Sequence, residues 1–285
     1  MRLLALETSA RIASVAMLDF QLDTPAFSES GDTQLEENGL PAVVHDSSQK
    51  SGLAIAPPES HYSGATPQRR PASSSVTLIR TIQQALAEKN WSPSDVDVVA
   101  VTVGPGSFTG LRIGLVTAKT FGYAAKAQVI GVNTLEVLAS QARKIAKTHS
   151  GPDTQFQNIK VAIDAGRNQL FVGQYPFEYS KSAQLAPHES APDFRIEEKS
   201  TWLRQIGNDE IATGPALSRM QQELSDLKRS GDTVEVAPES CWTPTAASVG
   251  LVGVAKVLET KDHSKDELDW WKLSPLYMRP SYAEE

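Results

Sequence analysis

The feature that most constrains the fold is a glycine-rich turn at residues 104–112, Gly-Pro-Gly-Ser-Phe-Thr-Gly-Leu-Arg. A run of apolar β-forming residues, Val98 to Val103, precedes it, and an apolar helical pattern follows it to about Ala125. This order predicts a buried strand, a tight turn and a helix start, where α/β proteins expose backbone N–H groups to ligands. The turn is not a P-loop, because no Lys-Ser or Lys-Thr follows its last glycine. A turn that only caps a helix is the competing interpretation.

Composition sets the broad limits. With 285 residues, of which 40% are hydrophobic, the chain has room for two modest domains or one large one. Its net charge of −7 offers little for the phosphate contacts of nucleic-acid binding, so a partner would have to supply the basic surface. The single cysteine, Cys241, permits no internal disulfide and fits a reducing compartment. No apolar run could span a bilayer, and Glu7 interrupts the first one too early for a secretory signal, which predicts a cytoplasmic protein without membrane association.

Alternating strand and helix patterns predict an α/β domain over residues 1–150. A hairpin between Leu3 and Leu18 opens it, so the first strand is expected to lie inside a sheet. Between about residues 21 and 70 the sequence is rich in proline, serine and acidic residues. Such a stretch cannot bury enough apolar surface to order itself, and it is predicted to be a mobile insertion.

A second hairpin, over residues 159–175, opens a second, more degenerate α/β domain that is predicted for residues 151–245. Residues 246–285 are expected to form a C-terminal helix, capped by Thr245, and a tail that packs back on the core. Two α/β halves that each begin with a hairpin predict the duplicated actin-like ATPase fold, also called the ASKHA or ribonuclease H-like fold.

The helix after the glycine-rich turn begins with recognisable capping signals. Thr109 is predicted to cap it, with Phe108 and Ile113 as a hydrophobic staple. Small residues then recur every four positions: Gly110, Gly114, Ala118 and Gly122. Because a glycine inside a helix costs about 1 kcal/mol relative to alanine, this stripe indicates close approach of another element. A second helix, within the domain or across a dimer interface, and the sheet of the same domain are the alternatives.

Five motifs occur in a fixed order along the chain: Leu4 to Ser9, Gly104 to Gly114, Ala118-Lys119, Gly131 to Leu135, and Pro275 to Arg279. Together they resemble the TsaB (YeaZ) family, bacterial partner subunits in tRNA threonylcarbamoyladenosine synthesis. The resemblance covers nearly the whole chain, apart from the insertion and the weakly patterned region after Pro176.

The resemblance implies a non-catalytic subunit related to TsaD (Gcp) and classed with M22 glycoprotease-like proteins. It would bind and support a TsaD homologue, which transfers threonylcarbamoyl to N6 of adenosine 37 in tRNAs that read codons starting with A. A TsaE homologue would join this assembly. The chain could also form a homodimer. It would contact tRNA only indirectly. The interface is expected on two helices of the first domain, at Ile79, Ile82, Gly110, Arg112, Gly114, Ala118 and Gly122.

Residues for metal chemistry are missing from the pattern. The five histidines lie far apart, and none forms the pair at helical spacing that binds a metal in TsaD-type proteins. A metallopeptidase would therefore lack its ligands, and no metal is predicted.

The turns that a phosphotransferase of this fold needs are also degraded, since the first hairpin turn, residues 7–11, contains no glycine. Asp164 is more typical of a turn-forming residue than of a metal ligand. A vestigial nucleotide site is expected at Thr8, Ser9, Gly104, Gly106, Ser107, Asp164, Gly166 and Gly214. No cofactor is predicted, although weak ATP or ADP binding at a partner interface and an active phosphotransferase stay open as alternatives. The glycine-rich turn is then expected to set the angle of its helix rather than to hold a phosphate.

Overall fold

The computed structural model describes residues 1–20, 74–149, 156–177, 194–229, 235–260 and 270–278. The predicted mobile insertion at about residues 21–70 lies outside this described part of the chain. The chain divides into two compact units, Met1–Val132 with Thr245–Pro275, and Asn133–Pro244 with Leu276–Glu285. None of the described helices has both the length and the apolar character needed to cross a membrane.

Strands and helices alternate along the described residues, with short 3-10 turns between some of them. In chain order they are β1 (Arg2–Glu7), β2 (Ser14–Asp19), α1 (Ser74–Lys89), β3 (Val98–Gly104), α2 (Phe108–Ala125), β4 (Gln128–Asn133), α3 (Thr134–His149), β5 (Asn158–Gly166), β6 (Gln169–Pro176), β7 (Arg195–Glu198), α4 (Lys199–Arg204), β8 (Glu210–Thr213), α5 (Gln221–Arg229), β9 (Glu235–Val236) and α6 (Ala246–Thr260).

The sheet of the first unit has the strand order β2-β1-β3-β4. Strand β1 pairs antiparallel with β2 and parallel with β3, so it lies inside the sheet as predicted. Its side chains are buried on both faces, because helices cover both. Leu4 and Leu6 join the core that includes residues of α1 and α2. Leu3 and Ala5 face the other way, where Gly250 of α6 approaches them closely.

The sheet of the second unit has the strand order β7-β6-β5-β8-β9. Strand β5 pairs antiparallel with β6 and parallel with β8, and β8 is parallel to β9. Each sheet therefore contains a hairpin whose first strand is joined by a parallel strand on its other side. This repeated topology is what a duplicated actin-like fold requires.

The division into units differs from the predicted domain limits in two respects. Helix α3, which was expected to end the first domain near residue 150, belongs to the second unit. Its apolar residues Leu135, Leu138 and Ala142 are fully buried in the core of that unit. Helix α6 belongs to the first unit and packs on its sheet. The predicted limits of 1–150, 151–245 and 246–285 place α3 differently because hydrophobic periodicity does not say which sheet an apolar face covers.

The cap of α2 lies two residues before its predicted position. The helix begins at Phe108, and the Ser107 hydroxyl accepts a hydrogen bond from the Gly110 N–H at 3.2 Å. The prediction of Thr109 as the cap, with its hydrophobic staple, was therefore wrong. The Thr245 cap of α6 is confirmed, because the Ser248 N–H donates to the Thr245 hydroxyl at 3.3 Å.

The small-residue stripe of α2 faces the first unit's own strands and turns. A Cβ at Gly110 would lie 2.1 Å from the Thr8 carbonyl oxygen, and one at Gly114 would lie 2.1 Å from Thr8 Oγ1. A Cβ at Gly122 would lie 2.3 Å from Val129 Cγ2 of β4. Between them, Ala118 is fully buried. The stripe is therefore explained by close packing within the unit, the alternative to a dimer contact.

Ile82, also predicted at the partner interface, is buried in the same core at 4% exposure. The predicted interface positions Ile82, Gly110, Gly114, Ala118 and Gly122 are therefore corrected to internal packing positions. Their four-residue spacing identified one side of α2, and the structure shows that this side faces inward.

Substitution of Gly114 tests this packing. Gly114→Ala is expected to lower the free energy of unfolding by roughly 1–3 kcal/mol, because the new methyl group overpacks Thr8 and outweighs the gain in helix propensity. Thr120→Ala, at an exposed position of the same helix, is the control and should stay within about 0.5 kcal/mol of the parent. Denaturant unfolding measures both. A fully stable Gly114→Ala protein with an altered oligomeric state would instead support a surface role for the stripe.

Candidate functional site

The turn after β1 and the glycine-rich loop after β3 meet in the first unit. The Thr8 N–H donates to Thr102 Oγ1 at 3.1 Å, and the Ser107 N–H donates to the Ser9 carbonyl at 2.7 Å. A Cβ at Gly106 would lie 2.6 Å from both the Cβ and the carbonyl oxygen of Ser9, so only glycine fits there. The structure thus brings together four residues of the predicted vestigial nucleotide site: Thr8, Ser9, Gly106 and Ser107.

One backbone hydrogen bond joins the two loops, and two further bonds fix the start of α2. Ser107 donates its N–H to Ser9, Gly110 donates to the Ser107 hydroxyl, and Leu111 donates to the Ser107 carbonyl at 2.8 Å. Gly104, at the end of β3, has a φ of +121°, a backbone conformation that favours glycine. This arrangement is suited to fixing the start of α2, as the sequence suggested, and the vestigial nucleotide site stays a prediction.

Glu7 is a buried acid at the start of the first hairpin turn, and no pattern in the sequence indicated its burial. It is fully buried, and its Oε1 accepts hydrogen bonds from the Ser9 N–H at 2.7 Å, the Ala10 N–H at 3.2 Å and the Ser9 hydroxyl. Its Oε2 is buried without a hydrogen-bond partner among the described residues. Burial raises the pKa of Glu7 to about 7, although the hydrogen bonds from Ser9 and Ala10 lower it.

Strand pairing fixes the face of the sheet on which the Glu7 side chain lies. In the β1–β2 pair Glu7 lies opposite Ser14, so both side chains are on the same face of the sheet. The Ser14 hydroxyl accepts a hydrogen bond from the Ala246 N–H at the start of α6, at 3.1 Å. Glu7 therefore holds the turn that α2 packs against, and it can do so as either a neutral acid or a carboxylate near neutral pH.

In the second unit, Asp164 serves the turn between β5 and β6. Its Oδ1 accepts the Gly166 N–H at 2.7 Å, and its Oδ2 is paired with the Arg219 guanidinium. Gly214 is needed for packing, because a Cβ there would lie 2.3 Å from the Ala162 carbonyl oxygen. Asp164 and Gly166 therefore form a turn, and Gly214 allows the backbone to approach Ala162 closely. These contacts give all three residues a structural role.

A cleft of about 230 Å³ lies beside this turn, and Arg167, Lys199 and Arg219 line it together with Asp164. The Lys199 ammonium is paired with Glu223 at 2.5 Å. Within the described residues, no group of three histidine, cysteine, aspartate or glutamate side chains is placed to hold a metal ion. Basic side chains thus predominate in the cleft, and two of them, Lys199 and Arg219, are paired with carboxylates.

The side of α2 that faces away from the sheet carries large exposed side chains. We call Phe108, Arg112, Val116 and Tyr123 the α2 stripe. Val116 is 64% exposed and Tyr123 is 77% exposed, while the Arg112 guanidinium carbon lies 3.9 Å above the centre of the Phe108 ring.

Ile79 of α1 is exposed as well. Of the seven predicted interface residues, the structure therefore places Arg112 and Ile79 at the surface. The sequence reading missed Phe108, Val116 and Tyr123, whose separations of eight and seven residues put them on one side of a helix.

Glu7→Gln tests the buried acid. The unfolded chain loses the Glu7 proton near pH 4.5, whereas the folded protein holds it to about pH 7. The contribution of Glu7 to stability is therefore full below about pH 4.5 and is lost as pH rises through about 7, by on the order of 3 kcal/mol. Unfolding free energies at pH 5 and pH 8 should show the parent losing stability relative to Glu7→Gln. Parallel pH dependences of the two proteins would contradict this assignment.

Comparison with known proteins adds the family context. Residues 54–240 match the family model described as TsaD, tRNA N6-adenosine threonylcarbamoyltransferase. The chain is 28% identical to the tRNA threonylcarbamoyladenosine biosynthesis protein TsaB of Bacillus subtilis over 213 residues, which are 74% of this chain and 81% of that protein. It is also 36% identical to a tRNA N6-adenosine threonylcarbamoyltransferase of Rhizobium etli over 120 residues, 41% of this chain but only 31% of the transferase.

Among solved structures, YeaZ from Pseudomonas aeruginosa aligns with a TM-score of 0.54 at 17% identity, covering 97% of this chain and 99% of that one. This likeness confirms the predicted fold, a duplicated actin-like α/β architecture. The family model, which matches more than half of the chain, shows that the chain belongs to the TsaD family, within which it is similar to TsaB (YeaZ) proteins.

Proposed function

We propose that this chain is a non-catalytic, cytoplasmic subunit that binds and supports a TsaD homologue during formation of N6-threonylcarbamoyladenosine at position 37 of tRNAs reading codons that start with A. The observation that carries the proposal is the α2 stripe, a row of exposed apolar and stacked side chains on a helix anchored rigidly by its other side. Exposed apolar patches of this kind mark protein–protein contact sites. The relationship to Bacillus TsaB supports the pathway.

The occupant of the stripe follows from the family relationship. The TsaD family model matches residues 54–240, a range that contains both α1 and α2. A TsaD homologue therefore carries counterparts of these helices, and two related helix pairs can dock about an approximate two-fold axis. A homodimer would use the same surface and compete with TsaD, and a TsaE homologue would join the assembled pair. The net charge of −7 supports indirect contact with tRNA, through the partner.

Residues predicted at the nucleotide site bind partners within the protein, which supports the non-catalytic part of the proposal. Asp164 is bound by Gly166 and Arg219, and the Ser107 N–H of the glycine-rich loop donates to the Ser9 carbonyl. Phosphoryl transfer needs an acidic residue for the metal and backbone donors for the phosphates. In the described residues these groups hold turns together.

Binding to the TsaD homologue of the same organism is the first test. Capture by the parent protein is expected, and Val116→Asp should weaken the dissociation constant about tenfold or more, because it places a charge in the centre of the contact. Ile12→Asp is the matched control, since Ile12 is 58% exposed but lies in the β1–β2 turn, and its binding should match the parent. A tRNA modification assay with TsaD and TsaE should lose product when this chain is omitted. Absence of binding together with unchanged modification would refute the proposal.

Turnover of ATP separates this proposal from an active phosphotransferase. The purified chain alone is expected to hydrolyse magnesium-ATP at the background rate, and Asp164→Ala should leave that rate unchanged, because Asp164 serves a turn. Steady-state phosphate release measures both proteins. Clear turnover by the parent that disappears in Asp164→Ala would favour the phosphotransferase instead.

A further inference from the structure

The C-terminal segment fixes an exposed tryptophan on the first unit. Trp271, in the 3-10 turn Trp270–Lys272, is 59% exposed. Its carbonyl oxygen accepts a hydrogen bond from the Lys119 ammonium of α2 at 2.8 Å. Two residues later, Leu273 packs on β4, where its Cδ2 would lie 3.2 Å from a Cβ at Gly131. The turn is thus held at the Trp271 carbonyl and at Leu273, while Trp271 itself stays largely exposed.

Lys119 places this turn beside the α2 stripe. Arg112, Val116, Lys119 and Tyr123 are separated by four, three and four residues, so they lie on one side of the helix. Lys119 reaches from that side to the Trp271 carbonyl. The turn that carries the indole therefore borders the stripe, although Trp271 and Tyr123 are 148 residues apart in the sequence (271 − 123).

We propose that Trp271 is a contact residue for the TsaD homologue and extends the α2 stripe into one continuous docking surface. This inference rests on the proposed function, which supplies the occupant. Tryptophan is the residue most enriched among energetically dominant interface positions, because it buries a large area with little loss of side-chain entropy. Lys119 is a positioning residue, since it acts by holding the turn that carries the indole.

The test measures binding of the full chain to the TsaD homologue. Trp271→Ala is expected to raise the dissociation constant about tenfold or more, while Trp271→Phe should recover part of the loss. Tyr277→Ala is the matched control: it removes an exposed aromatic side chain six residues later, from the part of the segment that belongs to the second unit, and should bind as the parent does. Melting curves of all variants check that the fold is retained.

A double-mutant cycle tests the positioning role. Lys119→Met should weaken binding less than Trp271→Ala, and it should add little to the loss in the double variant, because both changes act through the same indole. Fully additive losses would overturn this part of the inference.

The inference and the proposed function fail in different ways. If the parent binds TsaD and Val116→Asp weakens the complex while Trp271→Ala binds normally, the role of Trp271 is overturned and the proposed function stands. If Trp271→Ala changes only self-association of the chain, TsaD is the wrong occupant. If the parent does not bind TsaD at all, both are overturned.

Discussion

The close contact between α2 and the turn after β1 is the constraint on which the first unit depends. Gly110 and Gly114 bring the helix against Thr8, and Gly106 brings the preceding loop against Ser9, at distances where no side chain would fit. Because these positions face inward, the rotation of the helix is fixed. Its large side chains, Val116 and Tyr123 among them, are then directed outward. Internal packing and the proposed docking surface are therefore two sides of one arrangement.

The same contact supports the proposed role of this chain as a supporting subunit. The hairpin turn and the glycine-rich loop hydrogen-bond to each other, and the Ser107 hydroxyl caps α2. In the second unit, Arg219 neutralises Asp164 beside the corresponding hairpin turn. Ser107 and Asp164, both predicted at a vestigial nucleotide site, thus hold a helix start and a hairpin turn in place. Rigidity of the helix then becomes the useful property, since a preorganised surface loses little freedom on binding.

Local patterns in the sequence predicted the elements well, because strand and helix periodicity and the Thr245 cap are decided within a few residues. The direction in which a helix face points depends on tertiary packing, and there the sequence was insufficient. Ile79 and Ile82 both fit an apolar stripe of α1, yet only Ile82 is buried. Thr109 and Ser107 are both good caps, and the contact with Ser9 selected Ser107.

Long-range partners such as Lys119 with Trp271, or Asp164 with Arg219, leave no local signal in the sequence at all. The motif from Leu4 to Ser9 indicated a family, but the burial of the Glu7 carboxyl is a property of the folded unit that the motif does not show. The loops of the candidate site could therefore be located from the sequence. The burial and the partners of its side chains could not be predicted from it.

The chain leaves the first unit after Val132, returns at Thr245 and leaves again after Pro275. Helix α6, whose Gly250 and Gly253 rest on the first sheet, is thus synthesised after every strand of the second unit. During synthesis on the ribosome, one apolar face of the amino-terminal sheet therefore stays uncovered by α6 until residues 133–244, about 110 residues, have emerged. The sheet that is synthesised first is therefore covered by α6 only after the described strands of the second unit have been made.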